Sequence, residues 1–302
     1  MSRDRHEGAE GTDATHRDEG GGTVSQSQSN SQSSSKARFR TVFISDLHLG
    51  TPRAQAEQAL DFLRSTACDH LFLVGDVIDN WALKRSWFWD QSHSDVIQTI
   101  MRKAASGTRV TYIPGNHDEH FRDFCGQSFA SVDVRREALH VLADGRRLLV
   151  LHGDKFDGVV LYAPWLAHIG DVAYGWAIRG NALFNRARRH LGMPYWSLSA
   201  FLKRHVKRAV EFGARFEDAA VREAQLHGAD GIVCGHIHTA ERRVIDGIEY
   251  CNDGDWVESC TALVEHEDGR LELLDWSRDR ERLLGRTGSE AGPNVVPLRR
   301  VS

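Results

Sequence analysis

Aspartate, asparagine and histidine recur directly after the apolar runs of this sequence, in motifs that suit metal-assisted hydrolysis. The motif residues, in chain order, are Asp46, His48, Asp76, Asn116, His117, Asp118, His152, His236 and His238. Borderline divalent metals bind imidazole nitrogen and carboxylate oxygen together and need no thiolate. Two such ions ~3.5–4 Å apart, bridged by one carboxylate, clamp the attacking and leaving oxygens of a phosphoryl displacement. These residue types therefore predict a centre that holds two divalent ions.

Each motif alone has an ordinary structural explanation. An Asp-x-His pair is usually a turn or a salt-bridged pair, and "GNHD" could be a plain turn because Asn and Gly tolerate left-handed backbone. "GHIH" could be a strand end that carries a hydrogen-bonded histidine. Histidine makes up only 16 of the 302 residues, so the placement of histidines after so many strands favours a functional site.

The motifs follow short apolar runs that have the character of buried strands. The runs cover residues 40–45, 70–75, 109–114, 147–153 and 231–235. Helical patterns lie between the early runs, and such alternation predicts an α/β fold. In open α/β sheets, ligands gather at the carboxyl ends of the strands. We therefore expect the motif side chains to meet in one crevice.

Two helices and one hairpin can be placed from the pattern. Pro52 suits the first turn of one helix, whose apolar face comprises Ala56, Ala59, Leu60 and Leu63. Ser94 is a candidate N-cap for a second helix, whose apolar face comprises Val96, Ile97, Ile100 and Met101. The stretch "RRVIDGIEYCNDGDW" predicts a hairpin, and the segment 252–254 within it is interpreted as a hairpin turn rather than a ligand set.

Composition sets the limits of the folded part. Residues 1–38 are rich in Gly, Ser, Gln and charge, and we expect a disordered tail there. Residues 39–276 are predicted to form the domain, and 277–302 a flexible polar tail. Hydrophobic residues make up 41% of the chain, which is enough for a core.

The cysteines and the apolar runs bear on location. The five cysteines form no CxxC pair, which favours reduced thiols, buried as small core residues, in a cytoplasmic protein. The sequence has no signal-peptide core and no run of the ~20 apolar residues that a membrane span needs. We therefore expect a cytoplasmic location.

The motif set resembles the calcineurin-like metallophosphoesterase superfamily, whose signature of DxH, GD, GNH(D/E), H and GHxH is matched between residues 41 and 238. The resemblance implies a four-layer α/β/β/α sandwich and two divalent ions, most often Mn²⁺, with Fe²⁺ or Zn²⁺ as alternatives. Carried over residue by residue, it gives metal one Asp46, His48, Asp76 and His238. It gives metal two Asp76, Asn116, His152 and His236.

The same resemblance implies roles for the two residues after Asn116. A water between the metals would attack phosphorus, while His117 stabilises or protonates the departing oxygen. Asp118 would orient His117 through a hydrogen bond. A second interpretation, compatible with the first, makes Asp118 a helix N-cap.

A basic and aromatic segment lies between the last two motifs. From Val172 to Val210 the chain contains no Asp or Glu, yet it holds eight Lys and Arg residues interleaved with aromatic ones. One interpretation is a solvated basic helix face above ordinary core aromatics. The other is an amphipathic cap at about 158–228 that suits a lipid-linked phosphate or an anionic membrane surface. Nucleic acid also suits such a surface, but the segment is too apolar for us to expect it.

These features resemble the UDP-2,3-diacylglucosamine pyrophosphohydrolases of the superfamily, which have a GD-x₄-W element and a basic helical lid. The resemblance implies a lipid-linked nucleotide-sugar substrate, cleaved to UMP and a lipid sugar phosphate at the inner face of the cytoplasmic membrane. It places Trp81 in the acyl or sugar pocket and Lys203, Lys207 and Arg208 near the phosphates or the glucosamine.

Other functions remain open from the sequence. Well-described members of that family carry arginine at the position of His117, so a related lipid-linked or nucleotide-sugar pyrophosphate is an alternative substrate. A general phosphomonoesterase or phosphodiesterase on soluble nucleotides is a second alternative. A non-catalytic scaffold of the same fold is a third, which the full set of predicted ligands disfavours.

Overall fold

The computed structural model describes residues 36–159 and 213–285. Both predicted tails, apart from their inner ends, and most of the predicted cap lie outside these ranges, and so do Lys203, Lys207 and Arg208. The helices are α1 Ala56–Ser65, α2 Asn80–Arg85, α3 Gln91–Ala105, α4 at residues 213–226 and α5 Trp276–Leu283. Short 3₁₀ helices cover Glu119–Phe124 and Asp154–Val159.

Twelve strands of the described part form two sheets. The strands are β1 Ala37–Ile44, β2 Thr66–Leu73, β3 Arg109–Tyr112, β4 Ser128–Phe129, β5 Val132–Val134, β6 Ala138–Val141, β7 Arg147–Val150, β8 Gly231–Cys234, β9 Glu241–Ile245, β10 Ile248–Asn252, β11 Thr261–Glu265 and β12 Leu271–Asp275. The first sheet has the order β12-β11-β1-β2-β3-β5-β4, and the second has the order β6-β7-β8-β10-β9.

Each sheet is parallel in its middle and antiparallel at its edges. Strands β1, β2, β3 and β5 run parallel in the first sheet, as do β7, β8 and β10 in the second. The strands predicted from apolar runs are all confirmed, within a few residues at their ends. Because parallel strands end at the same edge, the residues that follow β1, β2 and β3 are brought together.

Three apolar clusters define four layers. One lies between the first sheet and helices α1, α3 and α5, with Phe62, Ile100 and Trp276 as helix residues. A second lies between the second sheet and α4. A third joins the two sheets face to face, and Phe43 stacks on Phe72 within it at 5.0 Å between ring centres. The predicted α/β/β/α sandwich is confirmed in the described residues.

The two predicted helices form but begin at other residues. Helix α1 starts at Ala56, four residues after Pro52, with the predicted apolar face buried. Helix α3 is capped by Asp90, whose side chain accepts from Ser92 N at 2.8 Å. Ser94 lies inside α3 and accepts from Trp89 Nε1 instead, so its assignment as the N-cap is wrong. Asp90 stands where the chain turns into the helix, and an aspartate caps as well as a serine.

The segment 252–254 is not a hairpin turn. The predicted hairpin exists as β9 and β10, but its turn is at Asp246 and Gly247. Strand β10 ends at Asn252, and the next strand, β11, belongs to the other sheet. Asn252 Nδ2 donates to Gly235 O at 2.7 Å, and Asp253 accepts from Ser45 Oγ at 2.6 Å. The segment therefore supports the crevice from behind, with both side chains fully buried.

The chain past residue 276 is also ordered further than predicted. Helix α5 begins where the flexible tail was expected, with Asp275 accepting from Ser277 N as its cap. Trp276 is 1% exposed, its ring centre lies 5.2 Å from that of Phe62, and its Nε1 donates to Asp61 at 2.9 Å. One buried tryptophan anchors this polar helix. The average composition of the segment is polar and does not reveal the effect of a single buried side chain.

Replacing Trp276 tests this anchor. We expect Trp276→Ala to lower the free energy of unfolding by about 3 kcal/mol, because it removes a buried aromatic and leaves a cavity. Arg278→Ala on the same helix, where the side chain is 84% exposed, should change it by less than about 0.5 kcal/mol. Urea unfolding of both variants measures the difference, and equal small effects would show that α5 does not stabilise the domain.

Glu265 forms a buried charged network away from the crevice. Its carboxylate accepts from Thr41 Oγ1 at 2.6 Å, His140 Nε2 at 2.7 Å and Ala143 N at 2.8 Å, and it pairs with Arg40. Burial alone would raise the pKa of Glu265, but the hydrogen bonds from His140, Thr41 and Ala143 lower it to about 2. The ionised carboxylate is therefore the form that stabilises the fold.

This network predicts a pH-dependent contribution to stability. Because the folded-state pKa of Glu265 lies below the unfolded value, the stabilisation is present above about pH 4.5 and is lost as the pH falls toward 2. We expect Glu265→Gln to cost about 3 kcal/mol at pH 7, and the difference from the native protein to shrink at acid pH. Glu267→Gln, at a 66% exposed side chain, is the control. A pH-independent difference would contradict the assignment.

Candidate metal centre

The predicted ligands lie in loops at the carboxyl ends of both sheets, and backbone hydrogen bonds join these loops. His48 N donates to Asp76 O at 2.9 Å, which ties the loop after β1 to the loop after β2. Gly235 N donates to His152 O at 3.1 Å, which ties the loops after β7 and β8. His236 N donates to Asp46 Oδ2 at 2.9 Å and thereby links the two sheets.

Strained backbone is concentrated at the predicted ligands. Asp46, His48, Asp76, His236 and His238 all have φ between 46° and 69°, a left-handed conformation that non-glycine residues seldom adopt. Only four other non-glycine residues of the described part share it. The five residues follow β1, β2 and β8, where this conformation lets the chain turn sharply beside the predicted ligands. Such strain clusters at functional sites, where the surrounding structure maintains it.

The glycines of the motifs make room for the ligands. A Cβ on Gly115 would lie 2.2 Å from Asp76 Oδ1, and one on Gly235 would lie 2.4 Å from Asp46 Oδ2. Both contacts are far inside van der Waals distance. This reason for glycine depends on loops that are distant along the chain, so the local sequence does not indicate it.

Asp46, His48 and His238 form the first group of possible ligands. Their ligand atoms lie within 4.8 Å of one another. The two Nε2 atoms are 3.2 Å apart, and Asp46 Oδ1 lies 3.1 Å from that of His238 and 3.6 Å from that of His48. This Oδ1 atom is buried and accepts no well-aligned hydrogen bond in the described part. One oxygen and two nitrogens thus converge on a point that suits a cation.

Asp76, His152 and His236 form the second group, with Asn116 beside them. His152 Nε2 lies 3.3 Å from both Asp76 Oδ2 and Asn116 Oδ1. The same Asp76 oxygen is 3.9 Å from His48 Nε2. Asp76 therefore stands between the two groups, where a bridging carboxylate is expected. All seven predicted ligands are brought together.

The imidazoles are held with one nitrogen free for the crevice. His152 Nδ1 donates to Val74 O at 2.8 Å, which leaves Nε2 facing Asp76. His48 Nδ1 lies 3.1 Å from Asp79 Oδ2, which leaves its Nε2 facing His238. Metal-binding histidines are usually oriented by such a contact through the other ring nitrogen.

The electrostatics of the crevice favour a positive charge. Burial alone would lower the pKa of His48, but hydrogen bonds with Asp46 and Asp79 raise it to about 10. The pKa of His152 is likewise raised against the effect of burial, chiefly by Asp76. Two buried carboxylates in one pocket require compensating charge, and the imidazole and carboxylate donors fit borderline divalent ions.

His117 lies at the mouth of the crevice, with Asp79 close to one of its ring nitrogens. Its Nδ1 is 3.0 Å from Asp79 Oδ1, and its Nε2 is 4.0 Å from Asp76 Oδ2. Burial alone would raise the pKa of Asp79, but hydrogen bonding to His117 and His48 holds it well below its usual range. The Trp81 ring packs beside His117, with ring centres 4.2 Å apart.

Asp118 does not have the position predicted for it. Its Oδ1 accepts from Gly115 N at 2.6 Å, and its Oδ2 accepts from Val77 N at 2.8 Å and Tyr112 Oη at 2.5 Å. Both oxygens are thus engaged by groups other than His117, and the side chain makes no capping hydrogen bond to the 3₁₀ helix that follows. Asp118 instead fastens the loop after β3 to the loop after β2, and Asp79 takes its predicted place beside His117.

Two carboxylates that contact the site histidines lie outside the predicted set. Asp79 follows Asp76 by three residues in "GDVID", a spacing that could have marked it as a second functional carboxylate. Asp157 Oδ1 lies 2.8 Å from His236 Nε2. Asp157 follows β7 and His236 follows β8. Because the two residues lie in different loops, the local sequence around Asp157 does not predict the contact.

A four-layer α/β/β/α fold with paired carboxylate and imidazole groups at its strand ends suits a hydrolase that uses divalent metals. The family model for calcineurin-like phosphoesterases matches residues 39–240, and the chain belongs to this family. The predicted resemblance is confirmed, and the protein is a phosphoesterase-family hydrolase.

Similar proteins include several UDP-2,3-diacylglucosamine hydrolases. That of Nitrosococcus oceani is 27% identical over 271 residues, which cover 80% of this chain and 90% of the relative. That of Cellvibrio japonicus is 28% identical and covers 79% of this chain and 99% of its own length. Among solved structures, the Escherichia coli phosphoesterase Yfce covers 78% of this chain and 98% of its own at 14% identity and a TM-score of 0.38.

The contacts of Asp79 generate a prediction about hydrolysis. We expect Asp79→Asn to lower kcat on bis-p-nitrophenyl phosphate about 10- to 100-fold, because the positioning of two histidines is lost. The affinity for Mn²⁺, measured by calorimetry, should also weaken through His48. Asp90→Asn, which alters an exposed capping carboxylate, is the control. If Asp79→Asn kept native kcat and metal affinity, the shared positioning role would be wrong.

Proposed function

We propose that this protein hydrolyses the pyrophosphate of UDP-2,3-diacylglucosamine, or of a related lipid-linked nucleotide sugar, to UMP and a lipid sugar phosphate. The observation that carries the proposal is the position of Asp76 between two groups of ligands, with His117 at their mouth. The substrate class is supported by relatives that bear the name UDP-2,3-diacylglucosamine hydrolase and match this chain over most of their length.

Two divalent ions, with Mn²⁺ as our first choice, complete the proposed site. Asp46, His48, Asp76 and His238 would hold one ion, and Asp76, Asn116, His152 and His236 would hold the other. When bound, such ions neutralise phosphoryl oxygens and supply a water of lowered pKa. The protein's part is to fix the donors in advance, through the hydrogen bonds between loops and the strained strand ends.

His117 is the proposed group at the leaving oxygen. Asp79 holds its Nδ1, which directs Nε2 toward the crevice. From there Nε2 can donate a hydrogen bond or a proton to the oxygen that departs from phosphorus. Asp118, in contrast, is proposed to act only by holding the loop that carries Asn116 and His117.

Substrate contacts are proposed for Trp81 and for three basic residues of the predicted cap. Trp81 is 49% exposed beside it, in a position to line the sugar or acyl pocket. Lys203, Lys207 and Arg208, from the cap, are proposed to contact phosphates or the glucosamine. We also propose a peripheral position on the anionic inner face of the cytoplasmic membrane. Among the helices of the described ranges, none has the length and hydrophobicity of a membrane span.

Product analysis tests the proposed function. We expect the protein with Mn²⁺ to release UMP from UDP-2,3-diacylglucosamine, and removal of metal by a chelator to abolish the release. His117→Ala should lower kcat about 100-fold or more while the bound metal, measured by elemental analysis, stays at the native level. Hydrolysis restricted to soluble esters such as bis-p-nitrophenyl phosphate would contradict the lipid substrate. Native turnover in His117→Ala would remove the proposed role of that residue.

A further inference from the structure

We propose that an exposed surface formed by Lys84, Arg85 and Trp87 docks this protein on a bilayer that carries anionic lipids. We call these three residues the α2 rim. The inference rests on the proposed function, since it places the membrane beside the site where a lipid-linked substrate would be cleaved. The cap segment predicted to meet the membrane is a separate part of the chain.

The α2 rim belongs to a segment that contributes little to the core. None of the residues in α2 is buried, and Lys84 and Arg85 are exposed. Trp87, in the loop that follows, is 77% exposed, although tryptophan is on average highly buried in folded proteins. An indole ring in water beside two cations is typical of protein segments that settle at lipid headgroups.

The charge of the α2 rim is positive and local. No acidic residue lies between Asn80 and Trp89, while the chain as a whole carries a formal charge of −4. The two flanking aspartates are engaged as helix caps, Asp79 on α2 and Asp90 on α3. Lys84 Nζ donates to His120 Nε2 at 2.5 Å, a contact with no carboxylate. Such a patch complements anionic headgroups rather than neutral ones.

The α2 rim is also close to the catalytic mouth. Trp81, at the other end of α2, packs beside His117, and four residues of helix cover about 6 Å. A lipid-linked substrate has its acyl chains in the bilayer and its pyrophosphate at the headgroup level. Because Trp81 and Arg85 belong to the same short helix, docking through the α2 rim would hold the crevice near the headgroup level, where the scissile bond lies.

Vesicle flotation of the full-length protein tests the proposal. We expect binding to phosphatidylcholine vesicles that contain about 30% phosphatidylglycerol, and much weaker binding to pure phosphatidylcholine, at about 0.1 M salt. The double variant Lys84→Glu/Arg85→Glu should lower the partition coefficient about tenfold or more. Trp87→Ser should lower it about fivefold.

The matched control reverses two charges elsewhere. Arg270→Glu/Arg278→Glu alters side chains that are 51% and 84% exposed, and it should change binding by less than about twofold. Native-like binding by the Lys84/Arg85 variant, or an equal loss in the control, would overturn the docking surface. The docking surface would also be overturned if the native protein did not bind anionic vesicles, or if the α2 rim bound single-stranded RNA and not vesicles.

UMP release from detergent-dispersed substrate, measured on the same preparations, separates the two proposals. Vesicle binding that depends on the α2 rim, without any UMP release, would keep the docking surface and overturn the proposed function. UMP release together with vesicle binding that does not depend on the α2 rim would keep the proposed function and overturn the docking surface. If both proposals hold, the Lys84/Arg85 variant releases UMP in detergent at the native rate and loses its rate on vesicles.

Discussion

The structure is organised around the burial of two carboxylates, Asp46 and Asp76, at the ends of neighbouring parallel strands. Both are almost fully inaccessible to water, and buried anions are costly unless they are paired and hydrogen-bonded. Imidazoles approach them from four loops, and backbone N–H groups of His117 and His236 donate to them. The left-handed backbone at the strand ends and the glycines beside them allow these groups to converge. Loss of either carboxylate would therefore disturb the loops as well as the ligand set.

Much of this arrangement could be predicted from the sequence because the information is local. Apolar runs marked the strands, and a polar motif directly after a strand must lie at its carboxyl end. The order of the two sheets adds only that the loops after β7 and β8 meet those after β1 and β2. The position of each motif directly after a strand was therefore enough to predict that the seven ligands come together. Their distribution over two separate sheets could not be predicted from the sequence.

The errors have a common origin in side-chain direction. A sequence shows that Asp118 is next to His117, but neighbours in a loop need not face each other. Asp118 turns toward Tyr112 and the backbone of Val77, while Asp79, nearly forty positions earlier, faces His117. The end of the folded part was missed for a related reason. A single buried Trp276 outweighs the polar composition of the helix that it begins.

Asp79 finally connects the two ends of the proposed mechanism. One oxygen, Oδ1, caps α2 by accepting from Ala82 N at 2.7 Å and also lies beside His117, while Oδ2 faces His48. One buried carboxylate thus joins the helix that carries the α2 rim to His117 and His48, the histidines for which we propose catalytic and metal-binding roles. A displacement of α2 on membrane docking would therefore act on the Asp79 carboxylate, which we propose to orient His117. Because α2 is short and has no buried residues of its own, this cap fixes the position of the exposed surface relative to the crevice.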